Sequence, residues 1–376
     1  MSGARHLYVH LPFCAHRCGY CDFVTVTGRH GEHDGYVDAL LSELELERHL
    51  LAPEPQTIFV GGGTPTFTNA DALLRLLHGL GPAAELTVEA NPETVTPDLA
   101  RLLRDAGVTR VSLGAQSFQP ELLRVLERRA SAEDVRRAVY ALRDASFDNI
   151  SLDLIYGIPG QSAAALDRDL DEALALEPDH LSCYELEAKP GTRFTHTFGD
   201  ELRRQADGME EYFEHVVTRL TAAGFRWYET ANFCRAGAPA SGAADDFRAQ
   251  HNLAYWRGRD YVGLGIGAVS TVDGVRWRNA PRLGAYLAAL RRGERPQREV
   301  EDLDAETRRR ERIMLGLRLD EPLRLVGLDG VLDVAALARL ERAELVARAG
   351  SNGDSSLALT ARGRFLGDGV TAALLT

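Results

Sequence analysis

The chain has 376 residues, more than a single hydrophobic core usually organises, so one large domain with a smaller companion is expected. Asp and Glu number 55 against 43 Lys and Arg, for a formal net charge of -12; that balance argues against a surface tracking a nucleic-acid backbone and favours small ligands or protein partners. No apolar run is long enough for a signal peptide or a membrane span, so a cytoplasmic protein is expected.

Over the first half of the chain, short β-branched runs alternate with amphipathic helical stretches, the pattern of parallel strands joined by helices. Strands are predicted at Leu7 to Leu11, Thr57 to Val60, Leu86 to Ala90, Arg110 to Gly114, Ile150 to Ile155 and Leu181 to Leu186. Tyr36, Val37, Leu40, Leu41 and Leu44 form one apolar face of the first helix. Thr96 followed by Pro97 reads as an N-cap and first turn, and Ser131 with Asp134 as a second capped start. Six such units predict an α/β fold built on a partial (βα)6 TIM-like barrel, in which chemistry collects at the C-terminal ends of the strands. The segments standing there are CAHRCGYCDF, GGGTPT, EANPE, GAQSF, DLIYGIPG and YELEAKPG, rich in glycine and polar groups.

The barrel is expected over residues 1–230, an extension and cover over 231–300, and a winged-helix-like module over 301–376, where two or three helices and a β-hairpin are predicted. A helix is predicted from Met209 to Ala223, and a Gly/Ala/Pro/Ser-rich loop from Arg235 to Ala244.

Three of the five cysteines, Cys14, Cys18 and Cys21, lie in one CxxxCxxC loop after the first strand. Three thiolates on a tight loop can hold three irons of a cubane and leave the fourth open. A structural zinc site wants four closed ligands, usually as separated pairs, and Cys183 and Cys234 are far off in sequence. His16, Arg17 and Gly19 make a poor core segment, which weakens the reading of unligated core cysteines.

With Tyr20 before the last cysteine, this pattern resembles the radical S-adenosylmethionine (SAM) superfamily. The resemblance implies a [4Fe-4S] cluster whose open iron is chelated by the amino and carboxylate groups of SAM, and a reduced cluster that passes an electron to the sulfonium to release a 5'-deoxyadenosyl radical. Gly61, Gly62, Gly63 and Thr64 would bring backbone N–H groups to the amino-acid end of SAM, an ordinary strand-to-helix turn being the alternative. Glu89 suits ribose hydroxyls as an ionised acceptor. Gln116, Arg128 and Asp153 on later units could orient further SAM groups or a substrate carboxylate; a solvated Arg128 beside Arg129 is the plainer alternative.

VHLPFCAHRCGYCDF, GGGTPT, VEANPE, GAQSF and DLIYGIPGQ together resemble the oxygen-independent coproporphyrinogen III oxidase group and, within it, the HemW branch of heme chaperones. That resemblance implies SAM contacts at Tyr8, Gly62, Gly63, Thr64, Glu89, Gln116, Arg128 and Asp153. The oxidases carry a fourth cysteine where Phe23 stands and a longer segment before the first strand, so the heme-chaperone branch is favoured. YETANF (Tyr228 to Phe233) and HNLAYW (His251 to Trp256) resemble segments of that branch, the second matching a motif associated with heme. His251 beside Tyr255 and Trp256 would make an axial ligand with a flat apolar wall, and a buried histidine in an aromatic cluster is the alternative. Where relatives read LGRxHS this chain has LERRAS, with Glu127 and Ala130 in place of Gly and His.

The leading expectation is therefore a protein that holds heme and passes it to an acceptor protein, supplied with electrons by a donor protein. The second is a coproporphyrinogen III oxidase. RNA modification fits the acidic balance least. The winged-helix-like end carries no Lys and slightly more Asp and Glu than Arg, which suggests a lid or docking module instead of a nucleic-acid binder.

Overall fold

The computed structural model describes residues 3–189, 193–236, 246–328, 330–350 and 355–375. The six expected strands form, as β1 (His6–Leu11), β2 (Thr57–Gly62), β3 (Glu85–Ala90), β4 (Arg110–Gln116), β5 (Ile150–Tyr156) and β6 (His180–Glu185). All five neighbouring pairs are parallel and follow chain order. The helices between them are α1 (His33–Glu47), α2 (Ala70–Leu80), α3 (Pro97–Asp105), α4 (Pro120–Val125), α5 (Ala132–Asp144) and α6 (Ala163–Ala175). The fold is mixed α/β around a central parallel sheet.

Caps begin the helices where the sequence placed them. Thr96 accepts from the Leu99 amide, and Ser131 and Asp134 form a reciprocal capping box. The expected helix at Met209 ends at Ala222.

Alternation decides which face of the sheet does what. Leu7, Val9, Ile58, Val60, Leu86, Val88, Val111, Leu113, Leu152 and Leu181 are all at most 1% exposed and make the aliphatic layer. The opposite face is polar over its later strands, where Glu89 pairs with Ser112, Ser112 with Ser151, and Asp153 with Ser182, while at its start Tyr8 pairs with Phe59. A central parallel sheet that must only be buried reads as apolar on both faces, so a polar layer is a sign of ligand-facing surface.

The chain forms two compact units, residues 1–212 with 260–301 and residues 213–259 with 302–376. In the first, β7 (Tyr261–Leu264) adds a parallel strand on the free side of β1, followed by antiparallel β8 (Val269–Val272) and β9 (Val275–Asn279). A buried charge anchors this addition to α1. Glu43, 0% exposed, accepts from the Gly265 amide at 2.8 Å, Tyr286 Oη at 2.6 Å and Asn279 Nδ2 at 2.7 Å, with Arg298 at 3.3 Å. Glu47 pairs with Arg295 and Arg298.

In the second unit, Arg248 and Arg257 both pair with Glu321, and Arg226 with Asp320, tying two distant stretches of chain together. Its C-terminal part has helices Ala305–Gly316 and Val334–Arg342 and antiparallel strands Val346–Ala349 and Ser356–Leu359. Of the Arg235–Ala244 loop, residues 237–244 lie outside the described residues. Among the described residues no helix is long and apolar enough to cross a membrane.

Candidate functional site

Cys14, Cys18 and Cys21 are half-buried free thiols on the loop that leaves β1. Burial pushes Cys14 up to about 11 and raises Cys18 and Cys21 as well, against the pull of Thr64 and Arg128 on Cys14 and of Arg128 on Cys18. Such thiols release protons when a metal captures them. Among the described residues no three His, Cys, Asp or Glu side chains converge as one ion requires. A cubane takes each thiolate at a separate corner, and three cysteines on one loop suit that ligation.

The loop is docked on the turn after α4. His16 Nε2 donates to the Glu127 carbonyl at 2.6 Å, the Glu127 carboxylate stands over Gly19, and the same carboxylate pairs with Arg193. Glu127 has φ 56, a left-handed conformation that glycine adopts without strain. That is a physical reason for glycine at this position in LGRxHS sequences.

Three strand ends meet around Cys14. Thr64 Oγ1 donates to its sulfur at 3.6 Å and accepts from Asn91 Nδ2 at 3.1 Å. Arg128 Nη2 donates to Asn91 Oδ1 at 2.8 Å and to the Gly114 carbonyl at 2.7 Å, while its Nε is buried with no partner. The guanidinium keeps its charge despite burial, as arginine does in any protein environment. Arg128 is therefore held against the ends of β3 and β4 and is not a solvated surface arginine.

The glycines of GGGT are needed, for a reason the sequence did not suggest. A Cβ on Gly61 would meet Glu89 Oε2 at 2.7 Å, on Gly62 the His10 ring at 2.4 Å, and on Gly63 the Pro12 carbonyl at 2.6 Å. Their absent side chains let the ends of β1, β2 and β3 pack together. Tyr8 lies in the same corner. His10 Nε2 faces the Val24 carbonyl at 2.8 Å, which can only accept, so its proton is there and Nδ1 accepts from Tyr8 at 2.9 Å.

Glu89 accepts from the Gly62 amide, yet burial, together with the nearby Asp153, pushes its carboxyl up to about 7. It is thus only partly ionised at neutral pH, a departure from the fully charged acceptor expected. Asp153, raised by burial, accepts from Ser112 Oγ at 3.1 Å. Gln116 closes β4 with φ 65 at a break in register against β5, a bulge that re-aims its side chain.

His251 belongs to the second unit, on the short helix Gln250–Trp256. It is 1% exposed, and its Nε2 meets Tyr255 Oη at 2.9 Å. Trp256 packs on a cluster of Tyr228, Cys234, Leu253 and Leu319, so YETANF and HNLAYW come together. In this conformation the imidazole is a buried member of an aromatic cluster.

Asn91, Tyr20 and Glu127 escaped the sequence reading as site residues. The one available signal was Asn91 immediately before Pro92, a pairing that fixes extended backbone.

The Radical SAM superfamily model matches residues 8–173. The heme chaperone HemW of Mycobacterium tuberculosis (strain H37Rv) is 38% identical over 384 residues, covering 98% of this chain and 94% of that protein. The chain belongs to the HemW family of radical SAM proteins. Heme chaperone HemW of Bacillus subtilis (strain 168) is 32% identical over 98% of both chains, and that of Escherichia coli (strain K12) 38% identical over 70% of this chain and 68% of its own. Among solved structures, coproporphyrinogen III oxidase (HemN) from Escherichia coli superposes with a TM-score of 0.78 at 24% identity, over 99% of this chain and 90% of that one. At that identity the likeness to HemN establishes the fold. Membership of the HemW family implies a [4Fe-4S] cluster and SAM.

Proposed function

We propose that this chain binds heme and passes it to an acceptor protein in the cytoplasm, with a [4Fe-4S] cluster on Cys14, Cys18 and Cys21 and bound SAM supporting that task. The observation that carries the reading is similarity across nearly the whole chain to proteins named heme chaperone HemW. Reduced by a donor protein, the cluster would supply an electron for cleavage of SAM. The chain's own residues bind and orient. The amides of Gly62, Gly63 and Thr64 are already engaged by Glu89 and by the Leu11 and Phe13 carbonyls, so their hold on SAM would come from carbonyls and the Thr64 hydroxyl, and Tyr8, Glu89, Gln116, Arg128 and Asp153 line the polar face where SAM would lie. The unpartnered Arg128 Nε is a buried donor awaiting an acceptor. His251 is the candidate iron ligand, and ligation through Nε2 requires it to leave Tyr255.

The rival reading, coproporphyrinogen III oxidation, has the likeness of fold to HemN behind it. Against it, Phe23, 62% exposed, occupies the position of the extra oxidase cysteine. Anaerobic reconstitution with iron and sulfide, then SAM, a strong reductant and coproporphyrinogen III, separates the two. No decarboxylated porphyrinogen by liquid chromatography, with the cluster intact, is expected; product formed with turnover would overturn the chaperone reading.

A further inference from the structure

Arginine has only donors to offer, so the Asn91 atom that faces Arg128 Nη2 at 2.8 Å must be its carbonyl oxygen. The amide NH2 is thereby turned to Thr64 Oγ1, 3.1 Å away. A hydroxyl has one proton. With a lone pair of Thr64 engaged by Asn91, that proton goes to the Cys14 sulfur at 3.6 Å.

The surroundings hold Asn91 in this pose. Pro92 confines its backbone to the extended region, observed at φ -87 and ψ 136. Its carbonyl accepts from the Thr94 amide at 3.0 Å and Thr94 Oγ1 at 2.7 Å. Gly114 leaves the space: a Cβ there would stand 2.8 Å from Gln116 Nε2, 3.4 Å from Arg128 Nη2 and 3.6 Å from Asn91 Oδ1.

We infer that Asn91 is a positioning residue that aims the Thr64 hydroxyl at Cys14 and so helps set the reduction potential of the cluster. This rests on the reading that Cys14 carries the cluster. Hydrogen bonds to cluster sulfurs are among the levers that set such potentials, stabilising the more negative reduced state. An aspartate in place of Asn91 offers two acceptors and no donor. The Thr64 proton would then turn to the carboxylate, and Cys14 would lose its hydrogen bond.

The test is an anaerobic redox titration, followed by electron paramagnetic resonance, of reconstituted wild type, Asn91→Asp, Thr64→Val and the double variant. Both single variants should titrate at more negative potential, Thr64→Ser should return to the wild-type value, and the double variant, which keeps the added carboxylate charge, should lie at or below Thr64→Val. Asn91→Ala, which removes the orienting donor without adding charge, should shift the potential the same way and have no effect in the Thr64→Val background. A further shift of Asn91→Ala on top of Thr64→Val would overturn the proposal, as would a wild-type potential in Asn91→Asp while Thr64→Val is lowered. If the wild type itself shows no cluster absorbance, the cluster reading fails and the proposal falls with it, a result distinct from both.

Discussion

The Gly62 amide donates to Glu89 Oε2 across 2.9 Å, joining the glycine turn after β2 to the carboxyl at the end of β3. Burial raises this carboxyl from 4.5 to about 7, so the folded chain keeps the proton longer than the unfolded one. Its stabilising contribution is full below about pH 4.5 and is lost as pH rises through 7. Glu89→Gln keeps an acceptor for Gly62 but removes the ionisation. The variant should therefore gain more in thermal midpoint at pH 8 than at pH 5; an equal gain at both would contradict the assignment.

The Glu43 network sets a second expectation. Glu43→Ala takes the acceptor from the Tyr286 hydroxyl and the Gly265 amide in a buried site and leaves Arg298 with Glu47 alone as its carboxylate partner, and breaking a buried charge network of this kind costs about 3–5 kcal/mol. The urea midpoint should fall sharply, whereas Glu45→Ala, which removes a solvent-exposed pair with Arg48 on the same helix, should leave it nearly unchanged.

Much of this architecture was legible from local pattern. Period-2 aliphatic runs, Thr96 with Pro97, and Ser131 with Asp134 specify strands and helix starts from neighbouring residues alone, and CxxxCxxC needs no tertiary information. Glu43 and Glu47 were not legible, because their partners lie more than two hundred residues away. The strand Tyr261–Leu264 joins β1 through pairing that no local window contains. Asn91 and Glu127 act through a side-chain relay and a positive φ, neither of which sequence periodicity reports.

Replacing any one of Cys14, Cys18 or Cys21 by alanine should abolish the broad cluster absorbance after reconstitution. Cys183, buried in β6, and Cys234, buried in the second unit, should be replaceable without loss. An intact cluster in any of the first three variants would refute the ligand assignment.

Tyr255→Phe removes the hydroxyl that meets His251 Nε2. If that nitrogen ligates heme iron, binding no longer competes with the hydrogen bond, whose net worth is about 1 kcal/mol. Heme affinity should rise severalfold in a spectral titration; unchanged affinity would argue against ligation through Nε2.

The most direct measurement is titration of the purified full-length protein with heme, followed at the Soret band, for wild type and His251→Ala. Saturable, equimolar binding by the wild type, with an altered spectrum and weakened affinity in His251→Ala, is the expected result. Absence of saturable binding by the wild type would contradict a heme-delivery function, and an unchanged spectrum in the variant would move the iron ligand elsewhere.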